Sequence, residues 1–334
     1  MKRKMNRICI VGAGAIGGFI GARLSLSAQD QRNSDIVVST LARGATLAAL
    51  NTHGWRLREG DTMRTAKTFA SDQPAALGVQ DLVIIAVKAP ALPQLAPMLA
   101  PLFGPDTTVI AAMNGVPWWF MSELGKPYQP LQSVDPTGTI GNAIALNRVL
   151  GCVVHASTFT PEPGLVQVKM GNGLIFGHPS DPASKIAMNV TNLMKNAGFD
   201  ATHSPRIRYD IWYKLWGNMT INPISALTGA LSDQILDDPL VLNFVSNCML
   251  EAAAVGAKID CLIDQTPQDR HAITRKLGGF KTSMLQDVEA NRAIELDALV
   301  GVVREIAQRC NVATPNLDSL FGMTRLFGKV RSIY

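Results

Sequence analysis

The sequence predicts an α/β doubly wound parallel sheet followed by an all-α C-terminal domain, on three observations. A glycine-rich turn, Gly12-Ala13-Gly14-Ala15-Ile16-Gly17, directly follows the short apolar run 7–11. Two later runs, 81–87 and 108–113, are almost continuously apolar, as strands covered by helices on both faces are. Beyond residue 180 nearly every pattern is helical.

Taken in order, 7–11 is a first strand and the glycine turn opens a helix running to about Ser27. Residues 36–41 form a second strand, and 55–70 read as a hairpin turning at Glu59-Gly60-Asp61. After the two buried strands come short β runs at 152–154, 165–168 and 174–176, separated by Pro and Gly, which finish the sheet antiparallel. Ser180-Asp181-Pro182 resembles a helix start, with a capping serine and Pro in the first turn. Helices follow over 183–197, 207–222, 239–256, 267–277, 283–309 with a break, and 316–329. The expected domains are therefore 1–180 and 181–334.

Composition narrows the class. With 334 residues, 47% apolar and 17% charged, the chain is long and apolar enough for ordinary cores and unlike a disordered one. Its five cysteines are scattered, with no CxxC pair. That speaks against a disulfide framework or a structural metal and for a reducing cytoplasm. The formal charge of +5 is spread thinly, which suits an anionic small molecule and not a nucleic acid. Lys2-Arg3-Lys4 before an apolar stretch imitates a secretory leader. Arg7, Arg23 and the glycines inside that stretch argue against it. No run of 18 apolar residues follows, so no membrane span is expected.

The glycine turn has a chemical reading. Gly12 permits a tight turn, Gly14 lets backbone approach a pyrophosphate, and Gly17 allows helix and strand to pack closely. N–H groups of Ala13, Ala15 and Ile16 at the helix start then face the phosphates. The second strand ends Leu41-Ala42-Arg43-Gly44, where an NAD site would carry Asp or Glu. Arg43 suits a 2′-phosphate and favours NADPH, unless it is only a solvated turn residue. Lys88 and Asn114 stand at two further strand ends, where open parallel sheets bind ligands; a plain turn role is the alternative for Asn114.

Lys214, Asn218 and Asn222 stand four apart and share one row of a helix, beside Ile211, Leu215 and Ile221. Polar groups at the edge of a buried stripe need partners. Either a polar ligand supplies them, or Lys214 snorkels outward and the amides cap neighbours. Ser283 with Gln286 resembles a capping box, and Glu295 fits the first turn of a helix.

The ordered motifs GAGAIG, LARG, VKA, NGV, YKLWGNMTINPISALTG and TSMLQDVEANRAIELDAL resemble those of the ketopantoate reductase family, from Ile8 to about Leu326. The resemblance implies a Rossmann-type NADP-binding domain before a helical substrate domain. It implies NADPH-dependent reduction of a 2-oxo acid, 2-dehydropantoate to pantoate, in pantothenate and coenzyme A biosynthesis. By position it makes Lys214 the proton donor and Asn218, Asn222 and Ser283 substrate contacts. Glu295 becomes the catalytic acid near the nicotinamide. The residues from Gly12 to Gly17, with Arg43, Lys88, Asn114 and Ser157, become cofactor contacts.

Two features depart from the family. Ser232 stands where a further substrate-binding Asn is common, and the stretch 116–147 is long and carries Pro117-Trp118-Trp119-Phe120. That insert either shapes the pocket for another bulky 2-oxo acid or forms a contact within a homodimer. From a different class, a non-catalytic NADPH-binding sensor would keep the glycine turn without needing Lys214, Asn218, Asn222, Ser283 and Glu295 together.

Overall fold

The computed structural model describes residues 5–334, so the charged start on which the leader reading rests lies outside the described residues. The chain divides into two compact units. The first holds the chain up to Met113, Trp119–Gln129 and Thr139–Ile207; the second holds Asn114–Trp118, Pro130–Gly138 and Arg208–Tyr334.

The first unit runs β1 (Arg7–Val11), α1 (Ala15–Gln29), β2 (Val37–Leu41), α2 (Gly44–His53), β3 (Trp55–Glu59), β4 (Thr62–Ala66) and β5 (Phe69–Ser71). It continues through α3 (Pro74–Leu77), β6 (Gln80–Ile85), α4 (Leu92–Leu95), β7 (Phe103–Ala111) and α5 (Thr139–Ala143). It ends with β8 (Val149–Glu162), β9 (Leu165–Gly177), α6 (Lys185–Asn196) and β10 (Asp200–His203). The sheet order is β4-β3-β9-β8-β7-β6-β1-β2-β5, with β10 also on β9. From β5 to β8 all neighbours are parallel. Ile8, Cys9, Ile10 and Val11 are wholly buried, as a strand paired on both edges and covered on both faces requires.

β1 is where the winding reverses: β2 and β5 lie to one side, β6, β7 and β8 to the other. Open α/β sheets bind ligands beyond the strand ends at such a reversal. There the Gly12 N–H donates to the Leu41 carbonyl (3.0 Å) and the Ala86 N–H to the Val11 carbonyl (2.8 Å), tying three strand ends together.

Some elements differ from expectation. The short β runs at 152–154, 165–168 and 174–176 belong to two long antiparallel strands, β8 and β9, kinked by register shifts. The hairpin closes at Ala66, and Phe69–Ser71 leaves it to pair with β2. The first helix after the sheet starts at Lys185, with Ser184 and not Ser180 as its cap. The 178–181 turn is held instead by His178 Nδ1, which accepts from the Ser180 and Asp181 N–H groups at 3.2 and 3.0 Å. Residues 185–203, expected with the helical part, add α6 and β10 to the sheet unit.

The second unit is helical: α7 (Ile207–Thr228), α8 (Ser232–Asp237), α9 (Pro239–Lys258), α10 (Pro267–Arg275), α11 (Ser283–Glu289), α12 (Val302–Arg309) and α13 (Pro315–Val330). A π-helical turn, Asp297–Gly301, leads into α12. α7 runs through Pro223, past its expected end at 222, because the continuation is buried at Ile224, Ser225 and Ala226. Tertiary burial there outweighs the local cost of a helical proline. α9 has the length and apolarity of a membrane span. It packs Val245, Cys248, Met249, Ala252 and Val255 into the unit's core, beside α8, α12 and α13.

Candidate active site

The sheet unit brings the glycine turn, Arg43 and Lys88 to the strand ends around β1. Gly14 precedes α1 and offers no side chain to cap it, so the first N–H groups of the helix are left for a ligand. A Cβ on Gly17 would stand 1.9 Å from the Gly12 carbonyl oxygen, and one on Gly12 (φ +92°) 2.6 Å from Val87. Packing therefore requires both glycines. Nothing lies within 4 Å of a Cβ on Gly14, which is exposed. This is the tight turn with one clear backbone approach that a pyrophosphate needs, so the residues present fit a dinucleotide.

Arg43 directly precedes α2, just past β2, and is exposed. Lys88 is half-buried beyond β6, at the start of the turn Ala89–Ala91. Ser157 lies on β8 opposite Met170, where the β8–β9 register shifts on both sides. Burial lifts the Cys9 thiol on β1 to about 12, so no thiolate nucleophile sits under the turn.

The helical unit assembles the polar row. Asn114 begins a short loop pinned to the π turn: the Val116 N–H donates to the Ala298 carbonyl at 3.0 Å. Gly115 (φ +82°) lies so close that a Cβ would stand 2.2 Å from that carbonyl oxygen. Held in this way, Asn114 Oδ1 accepts a hydrogen bond from Lys214 Nζ at 3.0 Å. Both residues are half-buried, as is Asn218 one turn further along α7. Asn222 is buried, and its Nδ2 lies 3.5 Å from Ser283 Oγ, at the outer limit of a hydrogen bond. Glu295 is half-buried two residues before the π turn, outside the helix whose first turn it was expected to occupy.

Ser283 is not a cap. Thr282 caps α11, accepting from the Leu285 N–H at 3.1 Å, and Gln286 donates to the Lys281 carbonyl. That leaves the exposed Ser283 hydroxyl beside Asn222. Ser232 is buried; its hydroxyl donates to the Gly278 carbonyl (3.1 Å) and accepts from the Phe280 N–H (3.0 Å). It braces a loop and offers nothing to a ligand. The insert's Trp118, Trp119 and Phe120 are 3%, 1% and 0% exposed, so these rings are core. Rings this enclosed do not protrude as a subunit contact.

The bond between Asn114 and Lys214 is not legible in the sequence. One hundred positions separate them, and no spacing rule reaches that far. Among the described residues no group of three His, Cys, Asp or Glu side chains is placed to hold a metal ion.

Family models described as ketopantoate reductase PanE/ApbA and its C-terminal domain match residues 8–181 and 206–327. A 2-dehydropantoate 2-reductase of Mesorhizobium japonicum is 36% identical over 330 residues, covering 98% of this chain and 99% of the relative. The crystal structure of a candidate ketopantoate reductase from Ralstonia solanacearum MolK2 is 50% identical, with a TM-score of 0.93 over 99% of this chain and 100% of that one. D-mandelate dehydrogenase, solved with NADH and anilino(oxo)acetate, shares the fold at 20% identity and a TM-score of 0.83, over 98% and 99% of the two chains.

Proposed function

The chain belongs to the ketopantoate reductase family of oxidoreductases, and from that premise we propose that it uses NADPH to reduce a 2-oxo acid to the 2-hydroxy acid. The 2-oxo acid proposed is 2-dehydropantoate, with pantoate as product on the route to pantothenate and coenzyme A. The observation carrying this reading is the Lys214 ammonium, held by Asn114 at 3.0 Å in one row with Asn218 and Asn222. In this reading the sheet unit, which extends to Ile207 and not only to residue 180, chiefly serves the dinucleotide and the helical unit chiefly the substrate.

The glycine turn from Gly12 to Gly17, including Ala13, Ala15 and Ile16, would hold the pyrophosphate, and Arg43 the 2′-phosphate. Lys88, Asn114, Ser157 and Glu295 are the further contacts proposed on the cofactor side. When bound, NADPH supplies the hydride that adds to C2 of the substrate. Negative charge then grows on the carbonyl oxygen, and a donor must already be aimed at it. Lys214 gives that oxygen a proton, closing the hydroxyl as the new C–H bond forms. Asn114 accepts from the ammonium at 3.0 Å and so sets the direction from which it meets the carbonyl oxygen. Asn218, Asn222 and Ser283 bind the substrate's polar groups and decide which carbonyl face is presented.

The test is Lys214→Ala under steady-state conditions with 2-dehydropantoate. General acid catalysis is worth roughly 10² to 10⁴ in rate, so kcat should fall by about that factor while NADPH still binds. Near-normal turnover in this variant would remove Lys214 as the acid.

A further inference from the structure

Among the described residues, Arg270 on α10 is a cation without a counter-ion. Burial pushes its guanidinium below the usual arginine value, and only the Tyr213 side chain favours the charged form. Its carbon lies 5.0 Å from the Tyr213 ring centroid, a cation–π arrangement. Its Nε is sealed from water with no hydrogen-bond partner. No carboxylate among the described residues lies in ion-pair contact with it; neighbouring Asp269 is used at the start of α10, bonded to the N–H and hydroxyl of Thr266 at 2.9 and 2.7 Å. A guanidinium partly removed from water with nothing opposite it carries a desolvation cost that an anion would relieve.

Its place on α7 says which anion. A Cβ on Gly217 would stand 2.9 Å from Nε and Nη2, so only glycine lets the guanidinium lie against the helix there. Gly217 is three residues beyond Lys214, and such positions are about 5–6 Å apart on a helix surface. Tyr213, Lys214, Gly217 and Asn218 are all half-buried, which marks them as one partly open face of α7. In a 2-oxo acid the carboxylate and the carbonyl sit on adjacent carbons, so a cation on the long Lys214 stem and a guanidinium seated at Gly217, neighbours on one helix face, can converge on the same small anion.

We propose that Arg270, seated on Gly217 and stacked on Tyr213, binds the substrate's carboxylate while Lys214 serves the carbonyl oxygen. This rests on the 2-oxo acid reading above. Tyr213 is in turn fixed by its hydroxyl, which donates to Gln265 Oε1 at 2.7 Å. The planar ring and the glycine notch hold the fork in place before substrate arrives, which is how arginine recognises carboxylates at low entropic cost.

The experiment compares 2-oxoisovalerate with its uncharged methyl ester, assayed with NADPH on the wild type, Arg270→Gln and Arg270→Lys. Removing one partner of a desolvated charged pair should cut kcat/KM for the acid roughly a hundredfold in Arg270→Gln. The ester should be unaffected, and Arg270→Lys should fall between. Acid and ester falling together would mark Arg270 as structural, and an unchanged acid rate would show no carboxylate contact; either result overturns the proposal. If the wild type reduces neither compound, the reductase reading fails for these substrates, and thermal protection by 2-oxoisovalerate decides the carboxylate site separately. Protection of the wild type that is lost in Arg270→Gln supports it, and equal or no protection in both overturns it.

Discussion

The bond between Asn114 and Lys214 allows a quantitative prediction. Asn114→Ala removes the acceptor without disturbing the loop, because the loop is fixed through backbone: the Val116 N–H on the Ala298 carbonyl, and Gly115 against the same peptide. A hydrogen bond involving a charged group contributes about 1.5–3 kcal/mol. If that energy aims the ammonium, its loss raises the barrier by a similar amount, and kcat should fall roughly 10- to 150-fold. The assay is steady-state turnover at saturating NADPH, with NADPH affinity measured separately by fluorescence titration. A lower kcat at saturating NADPH identifies Asn114 as the residue that orients the donor, beside the loss of NADPH affinity expected from its proposed cofactor contact. An unchanged kcat with weakened NADPH binding would refute this, leaving Asn114 a cofactor contact and Lys214 aimed by something else.

Two further outcomes are expected. Arg43→Asp should shift the NADPH-to-NADH preference toward NADH, because a carboxylate repels a 2′-phosphate and accepts from a ribose hydroxyl; an unchanged ratio of kcat/KM values would remove Arg43 from cofactor choice. His271 is buried, its Nε2 3.0 Å from the Ser246 hydroxyl, and burial, then Arg275 and Arg270, hold its pKa below 6.5. An unfolded chain therefore binds a proton that the folded one refuses. The stability this gives is whole above about pH 6.5 and is lost as pH falls through the lower folded value. Urea unfolding at pH 7 and pH 5 should show a steeper loss in the wild type than in His271→Gln, and equal losses would dismiss the histidine.

What could be read in the sequence followed from how tightly sterics constrain each element. The glycine turn was legible because Gly12 and Gly17 stand where any side chain would collide with Val87 or with backbone. The strands β1, β6 and β7 were legible because burial on both faces makes their central runs, 8–11, 82–85 and 109–111, apolar. β5 and β10 were not, since strands of three and four residues have no period to detect. Both exist because a parallel neighbour, β2 or β9, was already in place to pair with them. Two serines misled in opposite ways. Ser283 looks like a cap but stands one residue past it, and Ser232 looks like a changed ligand but is a brace.

The polar row on α7 allowed two readings, and the core of its own unit speaks against one part of the second, the outward turn of Lys214. Trp212, Leu215, Trp216 and Met219 are buried, and the Trp216 indole N–H donates to the Met249 carbonyl on α9 at 2.7 Å. These contacts fix the rotation of α7 about its axis, so the azimuth of Lys214 is not its own to choose. A lysine at that boundary could still have turned its flexible stem to water, where its charge is best solvated. It ends instead on the Asn114 amide, an acceptor carried by a loop that spends a glycine and a backbone hydrogen bond to reach that position. A lysine that only snorkelled to water would not end on such an acceptor; that the row serves a ligand is the proposal that Lys214→Ala tests.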